Sequence, residues 1–322
     1  MSVNPIPVTI HDFVRAETDT YFAKSVAGGG LGRLQHLRAP APIDAQTVVR
    51  MNRDTLYSSG VFDLEAGPVT VELPDVGRRF MSLQAISQDH YTIEVVYGPV
   101  RRVYDQGLVG TRYLFLIVRT LADPADADDI AGANAAQDRI VVSQTATGFF
   151  EIPEWDPVSL GRARDAIGAL GALGGMTRAF GSPAQVDPID HLIGTSVGWG
   201  GNPPEAAVYR GVAPPRNDGQ TVHALTVRDV PVDGFWSISV YNAKGFFEPG
   251  GPVGGQGGYS LNSLTAKPEA DGSVRVQFGG CGPGAANCLA IMPDWNYTVR
   301  LYRPRAEILD GSWTFPVAEP VG

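Results

Sequence analysis

The chain has 322 residues, 43% of them hydrophobic and 18% charged, with a formal net charge of -9. That composition excludes a disordered chain and leaves room for two domains at about 100–200 residues each. The acidic balance argues against a nucleic-acid partner, which needs a basic patch; the most basic features, Arg78-Arg79 and Arg101-Arg102, are only pairs.

The start, MSVNPIPVTIHDF, has neither the basic residues nor the apolar core of a secretory signal, so the chain reads as cytoplasmic. Thr9 can cap a helix running to about Ala23, with Asp12 in its first turn and Ile10, Phe13, Val14 and Tyr21 as its apolar stripe. Gly28-Gly29-Gly30 ends it, and a Pro- and Gly-rich loop follows to Gln46. No apolar run here or elsewhere approaches the roughly 20 residues of a membrane span.

Residues 50–64, RMNRDTLYSSGVFDL, concentrate Asn52, Arg53, Asp54, Thr55 and Tyr57 just before a strand-like stretch. A strand core does not need that density of hydrogen-bonding groups. Burying each without a partner costs about 1–3 kcal/mol. The cluster must satisfy itself, satisfy a distant backbone, or face a ligand. Strand-like segments follow at 67–73, 79–86, 91–97 and 112–119, separated by turns such as Pro74-Asp75 and Gly98-Pro99. Partial alternation in 80–86 suggests an antiparallel sheet with one polar, functional face.

The middle changes character. Residues 123–144 read as a helix capped by Asp123, with Pro124 at its first position. Ile167, Leu170, Leu173, Met176 and Phe180 give helical spacing over 159–180, and 186–193 suggests a further short helix. Strands return at 221–227, 235–241, 273–278 and 297–302. In Trp236-Ser-Ile-Ser-Val-Tyr241, Trp236, Ile238 and Val240 share one face and Ser237, Ser239 and Tyr241 the other. Long loops at 242–263 and 279–287 connect them, of a length that is uncommon unless functional or mobile. The modules are therefore set at 1–123, 124–212 and 213–322.

Cys281 and Cys288 lie in GGCGPGAANC. They read either as two reduced thiols in a loop or as a short-range disulfide, the latter implying an oxidising compartment. No CxxC or paired His accompanies them to make a metal site, and no P-loop, dinucleotide fingerprint, nucleophile elbow or H-E-x-x-H appears, so no cofactor is expected.

Asn52-Arg-Asp-Thr-Leu-Tyr-Ser58, with Asp63-Leu64, Leu73-Pro-Asp75 and Arg79-Phe80, resembles the N-terminal module of the DUF1254 family. Phe235 to Tyr241, Asp271-Gly272 and Arg300-Leu-Tyr-Arg-Pro304 through Leu309-Asp-Gly-Ser-Trp313 resemble its usual partner, the DUF1214 module. The resemblance implies a mainly β fold with a helical connecting region (α+β): an antiparallel β N-terminal module and a jelly-roll-like C-terminal β-sandwich, often oligomeric. Many relatives begin with a secretion signal. For function the resemblance is nearly silent.

Candidate chemistry therefore rests on residues. Arg53-Asp54 reads as a structural ion pair at the strand entry, or as a site in which Arg53 anchors an anionic or carbonyl oxygen, Asp54 acts as general base or orients a water, and Tyr57 donates a hydrogen bond. His90, in Asp89-His90-Tyr91, is either structural or the histidine of the site. Trp199, Asn202, Glu205 and Tyr209 form either a packing turn or an aromatic–polar pocket wall, with Asn52 as a further ligand contact. Arg300 reads as solvent-facing or structurally paired. Two functions stand: a hydrolase- or lyase-type enzyme on a small anionic or carbohydrate-like substrate, and a non-catalytic ligand-binding or assembly protein. A homo-oligomer is expected from the aromatic loop 245–249.

Overall fold

The computed structural model describes residues 4–46, 48–249 and 258–321, so 250–257 of the expected loop 242–263 lie outside the described residues. The chain gathers into two compact units, each discontinuous in sequence. Unit 1 is Met1–Arg38, Leu56–Leu121 and Ala131–Pro204; unit 2 is Ala39–Thr55, Ala122–Ile130 and Glu205–Gly322. This differs from a sequential division at residues 123 and 212, because burial ignores chain order. Ala41, Ile43 and Met51 join the core of unit 2, while most of the middle third joins unit 1.

Unit 1 opens with α1 (Phe13–Ala27). Thr9 does not cap it: its hydroxyl donates to the Asp12 carboxylate at 2.6 Å, and Asp12 occupies the cap position. Strands β1 (Gln35–His36), β2 (Thr55–Asp63), β3 (Val69–Leu73), β4 (Met81–Ser87), β5 (Thr92–Tyr97) and β6 (Val100–Tyr104) follow, then the one-turn α2 (Gln106–Val109) and β7 (Tyr113–Leu121). The helix expected over 123–144 is shorter. Asp123 instead caps a turn, accepting from the Ala125 N–H, and Asp126 accepts from the N–H groups of Asp128 and Asp129 at the start of α3 (Ala127–Asp138). Residues Val141–Gln144 form strand β8, where β-branched Val141 and Val142 suit a pleated surface. Helices α4 (Pro157–Gly171) and α5 (Pro188–Gly198) are capped by Asp156 and Asp187, each with Pro in the first turn.

The strands form a five-stranded sheet, β1-β2-β7-β4-β5, and a three-stranded sheet, β6-β3-β8. Leu83, Leu114, Leu116 and Val118 from the first meet Val69, Val71 and Tyr104 from the second in one core. Phe22 of α1 packs with Ile86, Phe115 and Ile117, the opposite face of the five-stranded sheet, and Phe13 packs with Leu160, Ile167 and Ile193 of α4 and α5. The polar face expected of β4 is buried rather than open: Gln84 donates to Thr92 at 3.0 Å and to the Gly201 carbonyl at 2.8 Å. The basic pair Arg101-Arg102 lies on β6 and is neutralised by Glu72 and Glu94, each at 3.1 Å.

Unit 2 is a sandwich. Its strands are β9 (Ala207–Val212), β10 (His223–Val227), β11 (Trp236–Tyr241), β12 (Ser260–Asn262), β13 (Val274–Phe278), β14 (Cys288–Leu289), β15 (Asn296–Tyr302) and β16 (Glu319–Pro320), with a short α6 (Ala306–Leu309). They make two four-stranded sheets, β14-β13-β10-β16 and β12-β11-β15-β9, antiparallel except for the β13–β14 pair. Val276, Phe278 and Leu225 face Ile238, Val240, Tyr297 and Val299 across the core. Cys281 and Cys288 are joined as a disulfide. Phe247, expected on an exposed loop, is fully buried and packs on Tyr241 at 4.8 Å, which removes the aromatic surface from which an oligomer was expected.

Candidate functional site

The alternation read in β11 holds, and its polar face explains the cluster at 50–55. Trp236, Ile238 and Val240 enter the core, so Ser237, Ser239 and Tyr241 occupy the outer face. Strand register aligns Ser237 with Arg300 and Ser239 with Thr298 on β15, and Ser237 with Asn262 and Ser239 with Ser260 on β12. The segment 50–55 belongs to the same unit and bonds this face residue by residue.

Arg50 adopts a left-handed backbone (φ 54) and donates from Nη1 to Thr298 at 2.8 Å. Its carbonyl accepts from Arg300 Nη2 at 2.9 Å, and the Met51 carbonyl accepts from the Tyr241 hydroxyl at 2.9 Å. Asn52 donates from Nδ2 to Tyr302 at 3.0 Å while its Oδ1 accepts the Asp54 N–H at 2.9 Å, turning the chain. Asp54 is buried. Its carboxyl accepts from the Ser237 hydroxyl at 2.6 Å and from Asn262 Nδ2 at 3.4 Å. The orientation of Asn262 is fixed, because its Oδ1 already accepts from the N–H groups of Leu264 and Thr265.

Arg300, read as solvent-facing or structurally paired, is 3% exposed at the centre of this network. It also donates to Ser239 at 2.8 Å and to the Tyr241 hydroxyl at 2.6 Å. Burial alone would depress its guanidinium; Tyr241, Tyr302 and Asp54 more than offset that, so it is held charged. Burial pushes the Asp54 carboxyl up, and Arg300, Ser237 and Asn262 oppose that shift without cancelling it.

Asp54 and Arg53 do not pair with each other. Arg53 lines a cleft of about 510 Å³ with Asp54 at its base, and among the described residues it makes no ion pair or hydrogen bond. Desolvation alone acts on its guanidinium and lowers it. Further polar wall comes from Asp123, Ser260, Asn262 and Asn287; Ile43, Leu261 and Leu289 supply apolar wall. The disulfide borders the cleft through Cys288.

The other candidates divide between the units. Tyr209 lies on β9 of unit 2, opposite Arg300 in register, with its ring edge-on to Tyr302 at 6.5 Å. Tyr57, His90, Trp199 and Asn202 lie in unit 1. The Arg119 guanidinium sits 5.7 Å from the Tyr57 ring centre and donates to Gln84 and to the Gly200 carbonyl. Trp199 is a packing pillar. Its indole stacks on Tyr21 at 4.3 Å and on His90 at 5.3 Å, and donates to Thr18 at 3.1 Å. Asn202 is buried.

Both nitrogens of His90 are spent inside the unit. The Thr195 hydroxyl donates to the His191 carbonyl, so at 2.7 Å it accepts from His90 Nδ1–H, while His90 Nε2 accepts the Gly200 N–H at 2.8 Å. Burial, then the neighbouring His191, brings this imidazole down to about 3, and it stays neutral. Among the described residues, no group of three or more His, Cys, Asp or Glu is placed to hold a metal, and no helix is long and apolar enough to cross a membrane.

Sequence reasoning missed Arg50, Ser237, Asn262 and Arg300 as members of the site. The signal was present in two halves: a polar cluster with no partner, and an alternating strand whose second face was polar.

Residues 31–104 match a family described as "Protein of unknown function (DUF1254)", and residues 213–306 one described as "Protein of unknown function (DUF1214)". No curated protein matches the chain. Among solved structures the chain is similar to the VPA0106 protein from Vibrio parahaemolyticus, at 17% identity and a TM-score of 0.71, over 97% of this chain and 98% of that one. It is also similar to a putative uncharacterized protein from Burkholderia cenocepacia, at 15% identity and a TM-score of 0.51, over 91% and 85%. These likenesses show the fold.

Proposed function

The chain belongs to the DUF1254/DUF1214 family, and from the geometry of unit 2 we propose that its cleft binds a small organic anion through Arg53. The observation that carries this reading is Arg53 itself, a half-buried guanidinium without a protein partner among the described residues. Its planar fork suits a carboxylate bidentately, and a bound anion would offset the desolvation it now bears. The volume falls in the range of about 300–1,000 Å³ usual for small-molecule sites. The test is calorimetry with acetate, succinate, benzoate and 4-methylpentanoate. At least one should bind wild type and lose about ten-fold or more in Arg53→Gln, the worth of a charge-assisted hydrogen bond. Equal binding by both proteins, or none by either, would refute the reading.

A second reading makes the cleft a hydrolase- or lyase-type active site. Its support is Asp54, which lines the same cleft and whose carboxyl is pushed up by burial. A carboxyl whose environment favours the protonated form is of the kind that serves as a general acid. Turnover of a p-nitrophenyl ester or glycoside that falls about 10²–10⁴-fold in Asp54→Asn would support it; turnover untouched by the substitution would dismiss it.

Compartment and assembly belong to the same proposal. The Cys281–Cys288 bond favours an oxidising compartment over the cytoplasm. Alkylation during lysis should find both thiols blocked. Leu170, Leu173, Ile189 and Val197, on or beside α4 and α5 and all more than half exposed, favour a homo-oligomeric contact. Light scattering at the 34.3 kDa of one chain would count against it.

A further inference from the structure

The anion reading accounts for Arg53 but leaves Asp123 unexplained. Asp123 lines the same cleft, half-buried, in the turn that follows β7. One carboxylate oxygen, Oδ1, accepts the Ala125 N–H at 2.9 Å. Oδ2 has no partner among the described residues, and Asp123 forms no ion pair with Arg53 or with any other cation there. The cleft therefore holds two opposite charges that do not neutralise each other. The third carboxyl, Asp54, is turned to Ser237 and Asn262 at the base.

Two uncompensated, separated charges of opposite sign on one cleft are matched by a ligand that carries both. A simple anion would satisfy Arg53 and meet Asp123 as a like charge. A simple cation would do the reverse. Ile43, Leu261 and Leu289 add apolar wall, which accepts a hydrocarbon portion. Building on the anion site proposed above, we infer that the ligand class is a small zwitterion with an apolar side chain, of the α-amino-acid type: its carboxylate on Arg53, its ammonium on Asp123, its side chain against Ile43, Leu261 and Leu289. Asp123 is then the specificity-determining residue and Arg53 the affinity-determining one.

The experiment is isothermal calorimetry on the full chain with three probes that share one carbon skeleton: L-leucine, 4-methylpentanoate, which lacks the ammonium, and 3-methylbutylamine, which lacks the carboxylate. L-Leucine should bind about ten-fold more tightly than either, the worth of one charge-assisted contact. Asp123→Asn keeps the acceptor for the Ala125 N–H. It should erase the preference for L-leucine over 4-methylpentanoate while leaving 4-methylpentanoate binding in place. Arg53→Gln should weaken both. If 4-methylpentanoate binds wild type as tightly as L-leucine and Arg53→Gln abolishes it, the zwitterion inference is overturned and the anion site stands. If no probe binds, or Arg53→Gln changes nothing, both fall together.

Discussion

The two buried charges at the centre of unit 2, Asp54 and Arg300, allow a sharp prediction: they influence each other through space but share no ion pair or hydrogen bond, and their replacement should have opposite effects. Replacing one partner of a buried ion pair ordinarily costs about 3–5 kcal/mol, since the other charge is stranded. Asp54 should escape that rule. Burial raises its carboxyl despite Arg300, so ionised Asp54 is a net liability to the folded state. A group whose folded value lies above its unfolded one contributes most below the unfolded value, about 3.9, and loses that contribution as pH rises through the folded value. Asp54→Asn removes the titration. Its Oδ1 still accepts from Asn262, and the Ser237 hydroxyl can turn to accept from the new amide. At pH 4 the variant should therefore sit within about one hydrogen bond of wild type, roughly 1 kcal/mol. By pH 8 it should equal or exceed wild type. Arg300→Met is the contrast. It leaves the Arg50 carbonyl without its donor, at about 1–3 kcal/mol, and removes one hydrogen bond each from Ser239 and the Tyr241 hydroxyl, at about 1 kcal/mol apiece, for a total on the order of 3–5. Differential scanning calorimetry of both variants from pH 4 to pH 8 reads the outcome. At about 2–4 °C per kcal/mol, Arg300→Met should melt roughly 6–20 °C below wild type. A comparable loss in Asp54→Asn at pH 8 would show that its charge compensates Arg300, and the reasoning from burial would be wrong.

Acid should destabilise unit 1 through His90. Its folded value, about 3, lies below the usual 6.5, so its contribution is complete above pH 6.5 and drains away as pH falls toward 3. A fall of that size is worth roughly 4–5 kcal/mol; an acid titration followed by tryptophan fluorescence should be flatter in His90→Gln, and equal slopes would count against the assignment. Opening the disulfide should cost about 2.5 kcal/mol, the loop-closure value for an eight-residue ring, read as a lower urea midpoint in Cys281→Ser/Cys288→Ser. A fragment of residues 205–322 should stay unfolded by circular dichroism and gain structure when residues 39–55 are added as a peptide. A fragment that folds alone would show that Asp54, Asn52 and Arg50 are dispensable to the sheet they cover.

Much of this architecture was legible in the sequence, and the failures have physical causes. Strands with apolar alternation, such as Trp236–Tyr241, were readable to within a residue, because period two decides which side chains meet the core. Strands β6, β9 and β12 were not, since their side chains are half-exposed or the strands short, and little apolar patterning marks them. The helix expected over 123–144 overran because Ala-rich composition carries helical propensity past the point where Val141 and Val142 find β3 as a pairing partner. At the site, Arg53 and Asp54 were found by their density of polar groups, but their pairing with each other was the wrong inference. Adjacent residues at a strand entry point to different sides: Asp54 goes inward to Ser237 and Arg53 lines the cleft. His90 could not be graded from sequence, because its commitment depends on Thr195 and Gly200, more than 100 residues away.

The same geometry gives a reason for the two families to occur in one chain. The polar outer face of β11 and β15 contains a buried arginine, two serines and two tyrosine hydroxyls, all within the stretch matched as DUF1214. Left to itself, that face would be an exposed sheet surface, and Arg300 would be an ordinary solvated cation. What buries it is the segment 50–55, which lies in the stretch matched as DUF1254 and supplies backbone carbonyls at Arg50 and Met51 and a carboxyl at Asp54. The donors and acceptors are complementary rather than duplicated: Arg300 and Tyr241 donate to carbonyls, Ser237 donates to a carboxyl, and the Tyr302 oxygen accepts from Asn52. A half-satisfied buried network is worse than an apolar face, so neither half gains unless both are present. The density of polar residues that marked 50–57 as unusual for a strand is thus largely the imprint of a partner surface about 190–250 residues downstream. Arg53 is not taken up by that surface among the described residues, and it lines the cleft instead, where a ligand can meet it.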